Sequence, residues 1–539
     1  MASLFHLKFL KPLNCLQAGL LYSLIFGVLY HFPLFAYVYK ESNQVSFIAM
    51  IVVVLFCVNG ALFLALGLIS VYLMRLSAIV FSLLNSIAFY FISAYGVFLN
   101  KSMMGNVLNT NTHELLGFLS VKLFIVIVVF GVLPGYVIYK IPLKNSSKKA
   151  PFLAILALVF IFISGALMNA KNWLWFDKHA KFIGGLILPF AYSVNAFRVS
   201  ALKFFAPTIK PLPLFSPNHS NSFVVLVIGE SARKHNYALY GYQKPTGESA
   251  RKHNYALYGY QKPTTPRLSK RLENHELTLF NATSCATYTT ASLECILDSS
   301  FKNNAYENLP TYLTKAGIKV FWYSANDGEK NVKVTSYLKN YELIQKCPNC
   351  EAIAPYDESL LYNLPNLLKE HSNENVLLIL HLAGSHGPNY DNKVPLNFRV
   401  FKPYCSSADL SSCSKESLIN AYDNTIFYND YLLDKIISML KNAKQPALMI
   451  YLSDHGESLG EGAFYLHGIP KSIAPKEQYE IPFIVYANEP FKEKHSIIQT
   501  QTPINQNVVF HSILGVFLDF KNPSAVYRPS LDLLKHKKE

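Results

Sequence analysis

Acidic side chains are in short supply. Across 539 residues, 34 Asp and Glu face 49 Lys and Arg, a formal net charge of +15. Lysines flanking membrane segments account for such an excess, and it also suits a chain that works against anionic lipid; no nucleic-acid partner is expected. Ionisable residues are scarcest in the long apolar runs that dominate residues 1 to about 205. Runs so poor in charge offer little of the pathway a transporter needs. Cysteine numbers only eight, and no close pair is matched by a second pair or by histidines at zinc-finger spacing. Nor does a small-residue cleavage site follow the first apolar run, which is too long for a signal peptide and is expected to stay attached.

What is present divides the chain into a membrane part and a globular part. Five spans are expected, at roughly 14–38, 46–70, 72–98, 121–141 and 151–170, each near the ~20 residues that cross a bilayer. Lys8 and Lys11 precede the first span, Arg75 lies at the turn between the second and third, and Lys144, Lys148 and Lys149 separate the last two. All fall on one side if the N-terminus is cytoplasmic, which puts everything after about residue 171 outside. The cysteines lead to the same place. Cys15 and Cys57 lie in apolar runs, but the other six form close pairs: Cys285 and Cys295, Cys347 and Cys350, Cys405 and Cys413. An even number of locally paired cysteines implies disulfides and an oxidising compartment. Six cysteines allow 15 connectivities, of which local pairing is the simplest.

Between spans three and four, Asn106, Thr110 and Glu114 recur at a spacing of four, which stacks them on one face of a helix. Spacing alone favours a solvated loop helix there. From Asn172 to Phe205, Trp173, Trp175, Phe176 and Phe182 mingle with Lys178, Lys181 and Arg198. Such an amphipathic stretch lies along a membrane surface and serves as a bridge. Pro207, Pro211, Pro213 and Pro217 then mark a linker. The expected organisation is a membrane domain at 1–170, a bridging helix and linker at 171–217, and a soluble domain at 218–539.

In the soluble part, short apolar runs at Phe223–Ile228, Ile318–Tyr323, Val376–Leu380, Ala447–Leu452 and Phe483–Tyr486 alternate with helical patterns at Ser359–Lys369 and Glu416–Lys441. Strands alternating with helices imply an α/β domain with a mainly parallel sheet. Ligands of such sheets bind outside the strands' carboxyl ends. Here the run ending at Leu452 stops at Ser453-Asp454-His455-Gly456-Glu457, and Phe223–Ile228 runs into Gly229-Glu230-Ser231. Val376–Leu380 runs into His381 and then Ser385-His386-Gly387-Pro388; Asn326 and Lys330 follow Ile318–Tyr323, and His467 lies twelve residues past His455. One polar strand ending is ordinary. An acid or imidazole after three of the five implies a shared metal site, since carboxylate and imidazole are what zinc takes from a protein. Asn281 to Cys295 adds a candidate nucleophile, crowded with Ser and Thr hydroxyls that a metal can activate.

With these residues in view, the chain resembles the phosphoethanolamine transferases that modify lipid A. These include the mobile colistin-resistance enzymes and lie within the alkaline phosphatase and sulfatase superfamily. The resemblance rests on Gly229-Glu230-Ser231-Ala232-Arg233, Thr265-Pro266-Arg267-Leu268, Thr283-Ser284-Cys285 through Thr289 to Cys295, His381 through Pro388, Asp454 through Gly460, and Tyr465-Leu466-His467-Gly468. It implies zinc held by Glu230, Thr289, Asp454 and His455, with Thr289 the nucleophile. Lys330, His381, His386 and His467 fall at substrate-phosphate or second-metal positions, and Asn106, Thr110 and Glu114 at membrane-side substrate positions. The implied reaction is ping-pong: phosphatidylethanolamine gives its phosphoethanolamine to Thr289, and lipid A takes it up, the modification behind polymyxin resistance. A phosphoglycerol transferase of the same superfamily is the nearest rival. A sulfatase is not expected, because no Cys or Ser precedes x-Pro-x-Arg.

One feature departs from the family pattern. Gly229 to Thr246 is repeated without change as Gly247 to Thr264. An 18-residue exact repeat is too short to be a structural array. Glu230 and Glu248 therefore compete for one ligand position, and Glu230, directly after a strand, is favoured. An insertion beside the metal also leaves a catalytically impaired membrane scaffold as an alternative. A smaller departure is Ala286, where relatives usually carry glycine.

Overall fold

In the computed structural model, the described residues are 11–109, 112–168, 172–204, 208–240, 262–299, 306–326, 329, 332–347, 353, 355–500, 502–521 and 523–537. They form two compact units. One comprises Met1–Leu108 with Leu119–Phe204, the other Asn109–Phe118 with Phe205–Glu539.

In the first unit, Val45–Ile69, Val71–Tyr95, Val121–Lys140 and Lys149–Met168 are each long and apolar enough to cross a membrane. The first expected span is instead a pair, Cys15–Leu29 and Phe32–Ser42, bent by 56°, so five crossings result if that pair counts as one. Pro33 explains the break, since it lacks an N–H and its ring clashes with the carbonyl four residues earlier. Buried His31 fills the bend, contacting Phe26 O through Nδ1 and accepting the Leu188 N–H at Nε2, both at 3.0 Å. The stretch after the last span is two helices, Trp173–Gly184 and Phe190–Phe204, rather than one. Asn106 lies on the helix Lys101–Asn109 and the Glu114 backbone on the helix Thr112–Gly117. Thr110 lies outside the described residues.

The second unit is built on a seven-stranded sheet: β1 (Phe223–Gly229), β2 (Leu277–Leu279), β3 (Lys319–Ser324), β4 (Ser336–Lys339), β5 (Val376–His381), β6 (Ala447–Ser453) and β7 (Phe483–Ala487). Its spatial order is β2-β7-β6-β1-β5-β3-β4. The five anticipated strands are in place to within a residue. β2 and β4 add short edges that carry no apolar run. β7 alone runs opposite, antiparallel to both β6 and β2; the other pairings in the sheet are parallel. β1, β5 and β6 are buried along their whole length, as parallel strands covered on both faces must be. Helix Lys415–Lys441 packs beside the sheet, its N-terminus capped by Ser414. The other anticipated helix is split into a 3-10 turn, Asp357–Leu361, and a helix, Leu364–Glu370, with Pro365 at the break.

Register is what places the chemistry. Ile228 pairs with His381 and Gly229 with Ser453, so Glu230, His381 and Asp454 all emerge at one edge of the three central strands. After β5 the chain turns at Gly384, whose φ is +52°. A Cβ there would come within 2.7 Å of Glu230 O and 2.8 Å of Glu230 N. Gly384→Ala therefore meets both a disfavoured backbone angle and fixed backbone, a cost of about 1–3 kcal/mol. A lowered thermal unfolding midpoint together with loss of bound metal is expected; an unchanged midpoint would show that the turn yields freely.

Candidate active site and metal centre

Glu230, Asp454 and His455 are fully buried, and their donor atoms lie within 4.8 Å of one another. His455 approaches Gly456 O through Nδ1 at 2.8 Å, which makes Nδ1 the donor and turns the Nε2 lone pair inward. Nε2 then faces Glu230 Oε1 at 3.2 Å and Asp454 Oδ2 at 3.3 Å. Thr289 Oγ1 completes the group, donating to Glu230 Oε2 at 3.2 Å and lying 3.3 Å from His455 Nε2. Lone pairs facing lone pairs repel unless a cation stands among them. A proton on Nε2 serves Glu230 but leaves Asp454 Oδ2, which has no hydrogen-bond partner, unserved. A divalent ion serves all four donors, and one imidazole, two carboxylates and a hydroxyl form a set zinc accepts.

Burial pushes both carboxyls up, but they end on opposite sides of the ordinary range. Glu230 is drawn well below it by His455, whereas Asp454 is driven well above it by burial and by the neighbouring Glu230 charge. Two carboxylates this close cannot both ionise without a countercharge.

Local structure holds the four donors. Ser231 takes a left-handed φ of 57°, and this turn lets its N–H reach Asp454 Oδ1 at 3.1 Å and its hydroxyl reach Glu230 Oε1 at 2.8 Å. Asn326 Nδ2 donates to Glu230 Oε2 at 2.5 Å. Thr289 opens the helix Thr289–Leu297, whose N-terminal N–H groups and dipole favour an anion beside the hydroxyl. A Cys285–Cys295 disulfide closes the loop and helix around it. Fully buried Gln506 joins the two halves: its Oε1 accepts from Cys285 N at 2.8 Å, and its Nε2 donates to Ser453 O at 2.9 Å and Asp454 O at 2.5 Å.

The sulfatase family pattern matches residues 246–519, and that of the phosphoethanolamine transferases EptA/EptB matches residues 55–204. Over 539 residues, all of both chains, the sequence is 92% identical to the phosphoethanolamine transferase EptA of Helicobacter pylori. The chain belongs to the EptA family of phosphoethanolamine transferases. The phosphatidylethanolamine transferase Mcr-2 of Escherichia coli is 29% identical over 487 residues, 84% of this chain and 85% of that one. Among solved structures, the integral membrane lipooligosaccharide phosphoethanolamine transferase A of Neisseria meningitidis superposes with a TM-score of 0.84. That match covers 97% of this chain and 99% of the other at 26% identity.

Around the EptA-family donor cluster, His467 stacks 4.3 Å from His455 and 5.2 Å from His386, between ring centres. His381 is buried at the end of β5, with Nδ1 3.3 Å from Ser324 Oγ and 3.7 Å from Glu329 Oε2, while Nε2 has no hydrogen-bond partner. Burial works against its charged form, yet Glu329, then Glu230 and Asp454, outweigh burial and raise its pKa. Lys330, Thr110, Glu248 and Cys350 lie outside the described residues, as does the Glu114 side chain. A second disulfide joins Cys405 and Cys413, and Cys347 is also disulfide-bonded. Sequence reasoning missed Glu457 and Gln506. Glu457 is fully buried, its carboxylate oxygens without a hydrogen bond within normal range, and Oε1 lies 3.6 Å from His467 Nδ1. Its place inside the Asp454–Gly460 motif was the available signal; Gln506 has none.

The repeat is shared between its copies. Gly229–Tyr240 come from the first, while Lys262–Thr264 of the second pack close by. Lys262 Nζ bonds Asn420 and Asp423 at 2.5 and 2.7 Å, and Thr264 donates to Asn236 O at 2.6 Å. Glu230 is continuous with β1, so Glu230→Gln is expected to lower metal affinity by about tenfold or more. Glu248→Gln should leave metal content and transfer unchanged. Equal losses from both substitutions, read by elemental analysis of the purified chain, would show that the copies exchange roles.

Proposed function

We propose that the chain transfers phosphoethanolamine from phosphatidylethanolamine to lipid A through a phosphothreonine at Thr289, with zinc held by Glu230, Thr289, Asp454 and His455. The observation that carries this reading is the Thr289 hydroxyl, at a helix N-terminus and within 3.3 Å of both a buried carboxylate and His455 Nε2. The names of the relatives supply the substrates: Mcr-2 is a phosphatidylethanolamine transferase, and the Neisseria enzyme acts on lipooligosaccharide.

When bound, zinc lowers the pKa of the hydroxyl and offsets charge on the phosphoryl oxygens. The residues do the rest. Thr289 Oγ1 attacks phosphorus while its proton leaves along the hydrogen bond to Glu230 Oε2. The bond from phosphorus to the glycerol oxygen breaks, and diacylglycerol departs with a proton supplied from the His386 and His467 side. An oxygen of the lipid A acceptor then attacks the same phosphorus, and Thr289 leaves and regains its proton. Asn326 keeps Glu230 aimed, and the first-turn N–H groups after Thr289 receive the phosphoryl oxygens. Lys330 and His381 are assigned to the same phosphate, and Asn106, Thr110 and Glu114 to the donor headgroup.

We place the protein in a bacterial inner membrane with the N-terminus cytoplasmic and the catalytic domain periplasmic. Lys144, Lys148, Lys149 and Arg75 on one side of the spans support that orientation. The same proposal takes 1–170 as the membrane domain, 171–217 as bridge and linker, and 218–539 as the catalytic domain.

Lipid A from cells expressing the chain should gain a nitrogen-bearing phosphoethanolamine group by mass spectrometry, and Thr289→Ala should abolish the gain. Denatured enzyme quenched during turnover should carry one such group on the peptide containing Thr289. A nitrogen-free glycerophosphate on lipid A, or full activity in Thr289→Ala, would overturn the reading.

A further inference from the structure

The helix Thr112–Gly117 ends at Gly117, and its last carbonyls have no partner within the helix. One of them is met from far along the chain: Asn389 Nδ2 donates to Gly117 O at 2.9 Å, across 272 positions. Both residues belong to the same compact unit, because Asn109–Phe118 group with the catalytic part rather than with the helices on either side.

Asn389 is a rigid post. It stands three residues after His386 and directly before Tyr390, which is 1% exposed. The Tyr390 ring packs edge-on against Tyr422 of the long helix at 5.4 Å, and Asn389 O accepts the Asn392 N–H at 3.2 Å. The short helix, by contrast, presents Leu115 and Leu116 to its surroundings, 57% and 62% exposed. Past it the chain enters the apolar helix Val121–Lys140. The short helix is therefore keyed to the His386 turn at Gly117, while Leu115 and Leu116 offer apolar surface of the kind acyl chains cover.

We infer that Asn389 is a positioning residue for the lipid donor: its side chain latches the Thr112–Gly117 helix beside the His386 turn, so that a glycerophospholipid enters with its headgroup already directed at the reacting atoms. This rests on the function proposed above and adds to it a residue that acts only on a membrane-borne donor. A small soluble ester needs no such guidance, because no acyl chain has to be held while its phosphate reaches Thr289.

The test uses purified full-length enzyme and two donors, phosphatidylethanolamine in phospholipid vesicles and the water-soluble p-nitrophenyl ester of phosphoethanolamine. In Asn389→Ala, KM for the vesicle donor should rise about fivefold, the scale of one lost hydrogen bond, with kcat changed less than twofold. Turnover of the soluble ester should be unchanged. Asn389→Asp keeps the shape but loses the donor and should match Ala, whereas Asn389→Gln should recover part of the loss. Amide exchange over 112–118 should quicken in Ala and Asp while 380–388 keeps its wild-type rate. Equal losses on both donors would overturn the latch, as would unaltered exchange over 112–118. Wild-type enzyme that turned over neither donor would count against the proposed function alone, since exchange reads the latch without activity.

Discussion

Two buried carboxylates beside an inward-turned imidazole lone pair are the constraint on which the catalytic unit depends. Glu230 and Asp454 stand at the ends of adjacent strands in parallel register, both at 0% exposure. Burying unpaired anions is costly, and low dielectric deepens the repulsion. Several features outside the four donors hold the arrangement against that cost. The left-handed Ser231 turn lends an N–H to Asp454, Ala232 N–H bonds Ser453 Oγ, and Gln506 ties the nucleophile loop to the end of β6. Gly384 lets the β5 turn pass against Glu230. The surroundings thus fix the anions in place and leave their neutralisation to whatever cation enters.

The sequence displayed most of this in its strand ends. Ala447–Ser453 and Phe223–Gly229 are continuous apolar runs that stop at acids, and the parallel rule then puts those acids on one edge. Apolar length marked the membrane half equally well. The rest was hidden for stateable reasons. β2 is Leu-Thr-Leu and β4 is Ser-Tyr-Leu-Lys, edge strands held by pairing rather than by a buried face, so no periodicity announces them. The bend at His31 lay inside a run whose hydropathy is even, with Pro33 as the only marker. Gln506 meets Cys285 across 221 positions, and no spacing rule reaches that far.

An exact repeat defeats sequence reading in another way, because two identical copies carry identical propensities. Continuity decides between them. Only Glu230 follows six apolar residues that pair on both sides, whereas the residues ahead of Glu248 are Lys-Pro-Thr-Gly. Lys262, from the other copy, is held at 4% exposure by Asp423 and Asn420. The catalytic fold thus takes the start of one copy and the end of the other. That is how eighteen extra residues can enter next to the candidate metal site without moving Glu230: loop entropy grows slowly with length, and the closing contacts on either side are kept.

Charge then orders the events at the site. Glu230, Asp454 and Glu457 are all fully buried, and the Arg233 guanidinium pairs with Glu461 and meets Glu457 at its backbone oxygen. An anionic phosphodiester does not approach three such carboxyls until a cation has offset them. The positive end of the helix at Thr289 and the imidazoles of His386 and His467 supply partial positive charge, not a full countercharge. Under the zinc-dependent transfer proposed above, metal would therefore precede lipid. A helix terminus, a disulfide and a buried glutamine keep the Thr289 oxygen beside Glu230 and His455, so the attack proposed above would need no rearrangement of the chain.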